Sequence, residues 1–201
     1  MATQVKIDFV SDVSCPWCVI GLKSLETALK SLKGEVAADL HFQPFELNPQ
    51  MGGEGQDITE HIAQKYGSTP ADIARNSENI RARGAELGFE FNMQKRGRIY
   101  NTFDAHRLLH WAETEGKQEA LKNALFAAYF TEGRNPSDHA VLLDVAQKSR
   151  PECKSRGRDP KIGRIRGRGA RARKVLRGPR HPGGTLRDHQ RPAPHSRRPA
   201  G

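Results

Sequence analysis

The chain has 201 residues, enough for one domain with a core of its own. Its net charge of +10 averages two unlike stretches: residues 1–148 hold 16 Lys and Arg against 20 Asp and Glu, whereas residues 149–201 hold 17 against 3. No run of 18 apolar residues occurs and Met1 to Val10 lacks the basic and apolar regions of a secretory signal, so a membrane-spanning helix is excluded and a cytoplasmic setting is expected.

Val5, Ile7 and Phe9 alternate with polar neighbours, a period of two that predicts a first strand. From Val19 the period lengthens. Ile20, Leu22, Leu25, Ala28, Leu29 and Leu32 recur every three or four residues and predict one face of a helix. Between the two lies Ser14-Cys15-Pro16-Trp17-Cys18, with Ser14 read as the N-cap and Pro16 in the first turn, where no backbone donor is needed. Gly34 ends the helical pattern, and Ala38 to Phe45 reads as a second strand with Leu40, Phe42 and Pro44 on one side. Two strands about one helix predict a parallel pair with a crossover connection.

The glycine-rich loop Met51 to Gln56 lacks Gly-Lys-Ser/Thr and a strand–GxGxxG–helix setting, so a phosphate cradle is not expected there. About ninety helical residues follow. Predicted helices run from Asp57 to Tyr66, from Thr69-Pro70 to near Gly88, from Thr102 to Glu115, from Lys117 to Thr131 and from Ser137 to Lys148, with Phe89 to Arg98 irregular. His106 and His110 stand four apart on one helix, a spacing that can bind metal, but Arg107 follows His106 where a His-Glu-x-x-His motif needs glutamate. A packed or partly exposed histidine pair is the expectation, and no metal is assigned. Trp111, Phe126, Tyr129 and Phe130 are read as core, and Trp17, between two cysteines, as exposed.

The chemistry concentrates at the two cysteines. The thiolate is the nucleophile, and the positive end of a helix lowers a cysteine pKa by stabilising the anion. A second thiol three residues on can attack the mixed disulfide made by the first and release the product. Cys15 is therefore read as the attacking thiol and Cys18 as the resolving one. Half a zinc site is the alternative; it needs two more ligands, and the only other cysteine is Cys153.

Val10 to Gly21, around the Cys-Pro-Trp-Cys motif, resembles the active-site opening of the DsbA-like thioredoxin superfamily, in particular its cytoplasmic FrnE branch. Pro44-Phe45-Glu46-Leu47-Asn48-Pro49 and the stretch Asn101 to Leu108 share the resemblance, which runs from about Val5 to Lys148. It implies an α/β, thioredoxin-like fold with a large α-helical insertion: residues 1–56 as the first half of the thioredoxin unit and 57–148 as the insertion, while the composition of 149–201 reads as a basic Arg/Gly/Pro-rich tail in place of the second half. It implies a thiol–disulfide oxidoreductase with catalytic Cys15 and Cys18, and with Pro16, Trp17, Asn48, Asn101 and His106 bordering the substrate. Substrate proteins or small thiols and disulfides are the implied partners, glutathione among them as a redox partner, with no bound cofactor and with a homodimer as an open option. The same superfamily holds 2-hydroxychromene-2-carboxylate isomerases and kappa-class glutathione transferases. A glutathione-dependent isomerase or transferase is thus the alternative function, although those relatives usually carry serine at the first cysteine position.

The resemblance also implies a second half with a strand pair, a terminal helix and a cis-proline loop facing the disulfide. Residues 149–201 show none of this. They hold no aromatic residue and only five of Ile, Val and Leu among many Arg, Gly and Pro, a composition that cannot offset its ordering entropy by burial. Arg- and Gly-rich arms bind phosphate backbones, which makes nucleic-acid binding one reading of the tail. The favoured reading is a shifted frame. Read one nucleotide later, the degenerate codons of Gly183 to Arg191 admit Ala-Val-Pro-Ser-Val-Ile-Ile-Asn-Asp, similar to the missing cis-proline loop and strand. On that reading this copy is impaired, and Cys153 has no redox role.

Overall fold

The computed structural model describes residues 1–149. Apart from Ser149, the basic tail, its shifted reading and Cys153 lie outside the described residues. Strand β1 (Thr3–Ser11), helix α1 (Pro16–Ser31) and strand β2 (Val36–Pro44) form the expected crossover unit. β1 and β2 run parallel in register, with Phe9 opposite Phe42 and Ser11 opposite Pro44. Gly34 makes the turn between helix and strand with φ of 96°, a conformation that favours glycine.

A helical block follows: α2 (Ile58–Tyr66), α3 (Pro70–Glu86), α4 (Phe103–Thr114), α5 (Gln118–Phe126) and α6 (His139–Lys148). α5 runs on into a π-helical turn, Ala127–Thr131, so the single helix expected from Lys117 to Thr131 changes its winding near the end. The caps follow local chemistry. Asp57 accepts from the amides of Thr59 and Glu60 at the start of α2, and Gly67 closes that helix in the left-handed conformation. Thr69 and Asp72 form a reciprocal capping box at α3, with Pro70 in its first turn.

Three local expectations change. α6 is capped by Asp138, whose carboxylate accepts from Ala140, rather than started by Ser137. Thr102 stands at the N-cap of α4 without a side-chain bond; Asn101 Oδ1 accepts from the Phe103 amide instead. Finally, Arg98, the last residue of the stretch read as irregular, begins with Ile99 a short strand, β4 (Arg98–Ile99), antiparallel to β3 (Gln56–Asp57). That pairing spans the boundary drawn between residues 56 and 57. It also explains a glycine of the Met51–Gln56 loop: Gly55 has φ of 68°, and a Cβ there would lie 2.3 Å from the Ile99 carbonyl oxygen.

The core has two parts. In one, Leu108, Leu121, Leu125 and Leu142 join helices α4, α5 and α6 and receive Val13 from the loop after β1. In the other, Val19 and Leu22 of α1 and Phe42 of β2 meet Ile80, Phe91, Phe126, Tyr129 and Phe130 of the helical block. This second cluster fixes the cysteine-bearing helix against the block.

Candidate active site

The loop after β1 is held by Asp12. Its carboxylate accepts from the Ser14 amide at 3.0 Å and from the Leu47 amide at 2.7 Å. One side chain thus ties the end of β1 to the loop that leaves β2. Its backbone carbonyl accepts the Cys15 amide at 3.3 Å, closing a turn. Burial acts to raise the Asp12 pKa, but His106 and the Leu47 and Ser14 amides outweigh it and hold the carboxyl below its ordinary range.

Ser14 is not the N-cap. Cys15 holds that position in an extended conformation, φ −94° and ψ 114°, with Pro16 following in the first turn. Ser14 is buried, and its carbonyl accepts from Arg96 Nη2 at 3.1 Å. Arg96 also donates from Nε to the Tyr129 hydroxyl at 3.1 Å and lies over the Tyr129 and Phe130 rings. The consequence for Cys15 is chemical. Its sulfur makes no cap bond, its carbonyl accepts the Cys18 amide at 3.1 Å, and the nearby Trp17 and Cys18 amides favour its anion.

Both cysteines are free and partly buried. A hydrogen bond from the Cys18 thiol is the main cause bringing Cys15 down to about 7; burial opposes it, while the Cys18 and Trp17 backbone amides add to it. The Cys18 thiol is raised by the same bond, by burial and by the charge on Cys15, against the Asp12 amide and Lys122. At neutral pH about half of Cys15 is therefore thiolate, whereas Cys18 keeps its proton.

A cavity of about 630 Å³ opens beside Cys15. Pro16, Trp17 and Asn48 line it, with Ile58, Ile62 and Tyr66 of α2 across from them. Trp17 is 51% exposed, as its place between the cysteines suggested. Asn48 is steadied by Lys65, whose ammonium donates to its side chain at 2.7 Å and to the Leu47 carbonyl at 2.9 Å.

Asn101 and His106 lie elsewhere. Asn101 donates to the Met51 carbonyl at 3.0 Å and braces the loop before β3. His106 is buried on α4, its Nε2 3.6 Å from the Asp12 carboxylate. Burial is the main cause lowering its pKa, against the pull of Asp12, so its ring is largely neutral at pH 7. His110 is exposed on the same helix, near Glu113. Among the described residues no group of three or more His, Cys, Asp or Glu is placed to hold a metal ion.

Sequence reasoning missed three residues of this centre: Asp12, Arg96 and Lys122. Asp12 lies inside the quoted motif, where its charge next to a buried turn was the available signal. Arg96 reaches Ser14 across 82 positions, and Lys122 comes from α5 with no exposed surface. Neither spacing carries a signal along the chain.

A family model described as a DSBA-like thioredoxin domain matches residues 6–150. The Bacillus subtilis protein YwbO, uncharacterised, is 26% identical over 144 residues, covering 72% of this chain and 66% of its own length. The chain thus spans a little less than two thirds of that relative. A Streptomyces coelicolor crystal structure, described as a probable DsbA oxidoreductase, superposes with a TM-score of 0.71 at 27% identity, over 85% of this chain and 67% of that one. A Nitrosomonas europaea structure shares the fold at a TM-score of 0.54 and 14% identity, over 88% and 72% of the two chains.

Proposed function

The chain belongs to the DsbA-like thioredoxin family, and we propose that it exchanges thiols and disulfides through Cys15 and Cys18. The observation that carries this is the asymmetry of the pair: Cys15 holds the N-cap position of α1 and lines the cavity, while Cys18 lies one turn behind and packs against the core. The Cys15 thiolate attacks a substrate disulfide, forming one sulfur–sulfur bond and releasing a substrate thiolate. Cys18 then attacks Cys15, breaking the mixed disulfide, so that the substrate leaves reduced and the protein pair is oxidised. The reverse sequence oxidises a substrate dithiol. Which direction prevails depends on the reduction potential of the pair.

Pro16, Trp17 and Asn48 are assigned to substrate contact, while Asn101 and His106 support the loops behind it. Substrates are proteins or small molecules bearing thiols or disulfides, with glutathione as a redox partner, in the cytoplasm. Among the described residues no helix is long and apolar enough to cross a membrane. Disulfide turnover by the isolated protein is the test. Cys15→Ser should abolish it and Cys18→Ser should trap the mixed disulfide; full turnover by either variant rejects the reading.

The cavity beside Cys15 favours a second reading, a glutathione-dependent isomerase or transferase of the same superfamily. Cys18→Ser separates the two, since transfer needs no resolving thiol and should survive it. The shifted frame is part of the proposal as well. If it holds, a gene restored to the other frame after codon 149 should yield far higher turnover, whereas equal turnover removes the idea of an impaired copy. Nucleic-acid binding through the basic segment predicts affinity that falls steeply with salt and vanishes when residues 149–201 are removed.

A further inference from the structure

Burying a lysine is costly unless something offsets the lost hydration of its ammonium. Lys122 has no exposed surface at all. It occupies a helix whose neighbouring positions, Leu121, Leu125 and Phe126, build the two cores, so an apolar residue would suit the position. Its ammonium lies 4.9 Å from the Phe126 ring centroid. Cys18 packs against the cluster to which Phe126 belongs, which places its sulfur on the same side of the core as this ammonium. The Asp12 carboxylate, the sulfurs of Cys15 and Cys18 and the His106 ring all feel the Lys122 charge.

We infer that Lys122 is a positioning residue for the second half of the exchange, its buried charge stabilising the anion on Cys18 when that sulfur attacks or leaves. This rests on the thiol–disulfide reading given above. In the reduced pair Cys15 holds the negative charge and Cys18 is its donor. Once Cys15 is bonded to substrate, its charge is gone and the bond that kept the Cys18 proton in place is lost. Burial still resists ionisation of Cys18; the Asp12 amide and the Lys122 charge favour it. Lys122 itself is pushed down to about 8 by burial, with Asp12, Cys18 and Cys15 holding it up, and is thus mainly cationic at pH 7.

The step balances without another reactant. Cys18 loses its proton and attacks the Cys15 sulfur; the Cys15–substrate bond breaks, the Cys15–Cys18 bond forms, and the departing substrate thiolate takes up a proton. In the oxidising direction a substrate thiolate attacks Cys15 and Cys18 leaves as the anion. Either way the charge passes through Cys18, so the role of Lys122 does not depend on direction.

Reaction with the chromogenic disulfide 5,5′-dithiobis(2-nitrobenzoic acid) separates the two halves, because attack and resolution each release one coloured thiolate. In Lys122→Met, of similar size and apolar, the second release should slow by about tenfold or more, and by more than the first, with the mixed disulfide accumulating by mass. Lys122→Arg should recover part of the second rate. An unchanged second release in Lys122→Met overturns the inference. Should that variant not fold, the full-length natural protein decides: its second rate should stop rising near pH 8, where Lys122 loses its charge, and a rise continuing to pH 10 overturns the inference. If the natural protein releases no thiolate at all, the thiol–disulfide reading itself falls, and this one with it.

Discussion

The crossover unit and the helical block divide the work unequally. β1, α1 and β2 place two sulfurs at a helix start, yet their own surfaces are shallow: Val5 and Val10 of β1 are exposed, as is Phe45 just beyond β2. The helical block has a core formed by α4, α5 and α6, into which the loop after β1 inserts Val13. It also supplies polar groups around the cysteine turn, with Arg96 from the segment before β4 on the Ser14 carbonyl, the neutral His106 ring from α4 beside Asp12, and the Lys122 charge from α5. A cysteine pair on a strand–helix turn is thus only half of the centre. The other half is brought by packing of elements distant along the chain, Lys122 lying more than a hundred positions from either cysteine.

The two cysteines give the sharpest contrast. Iodoacetamide at neutral pH should modify Cys15 and spare Cys18, and the rate should rise as pH increases through about 7, because the anion reacts and the acid does not. Equal labelling of both thiols by mass spectrometry would contradict the asymmetry. At the seam between unit and block, Phe130→Ala should cost about 3–5 kcal/mol in urea unfolding, as for other large core truncations. Arg96→Met removes the donor to the Ser14 carbonyl and the Tyr129 hydroxyl and should cost about 2–3 kcal/mol. The same variant should also change the Cys15 labelling rate; if only stability changes, Arg96 has no part in holding the turn. Thr69→Ala, which breaks the α3 capping box, should cost about 1 kcal/mol. On the exposed face of β1, Val10→Thr should alter stability by less than about 0.5 kcal/mol, and a larger loss would mean that this face is covered.

Local patterns placed most elements. The change of period at Cys15 located β1 and α1, Thr69-Pro70 located α3, and glycines at positions 34, 67 and 88 marked the ends that the structure shows. These signals lie within a few residues of what they specify, since caps, turns and amphipathic faces are short-range. Errors arose where several polar residues competed for one role, as when Asp138 capped α6 in place of Ser137, and Cys15 stood at the N-cap in place of Ser14. β4 escaped notice because a two-residue strand has no period, and only its partner Gln56–Asp57 defines it.

By itself the sequence determined that two thiols would stand at the start of a helix, because strand period, proline and helix period meet there. It also determined that Trp17 would lie between them. Only the tertiary structure decided which charges surround those thiols. Asp12 reads as an ordinary loop residue until Leu47 and His106 come within its reach, and Lys122 as an ordinary helix residue until burial removes its water. The physical reason is range: helix ends act within one turn, whereas electrostatic fields in a dry interior depend on whatever the fold brings within a few ångströms.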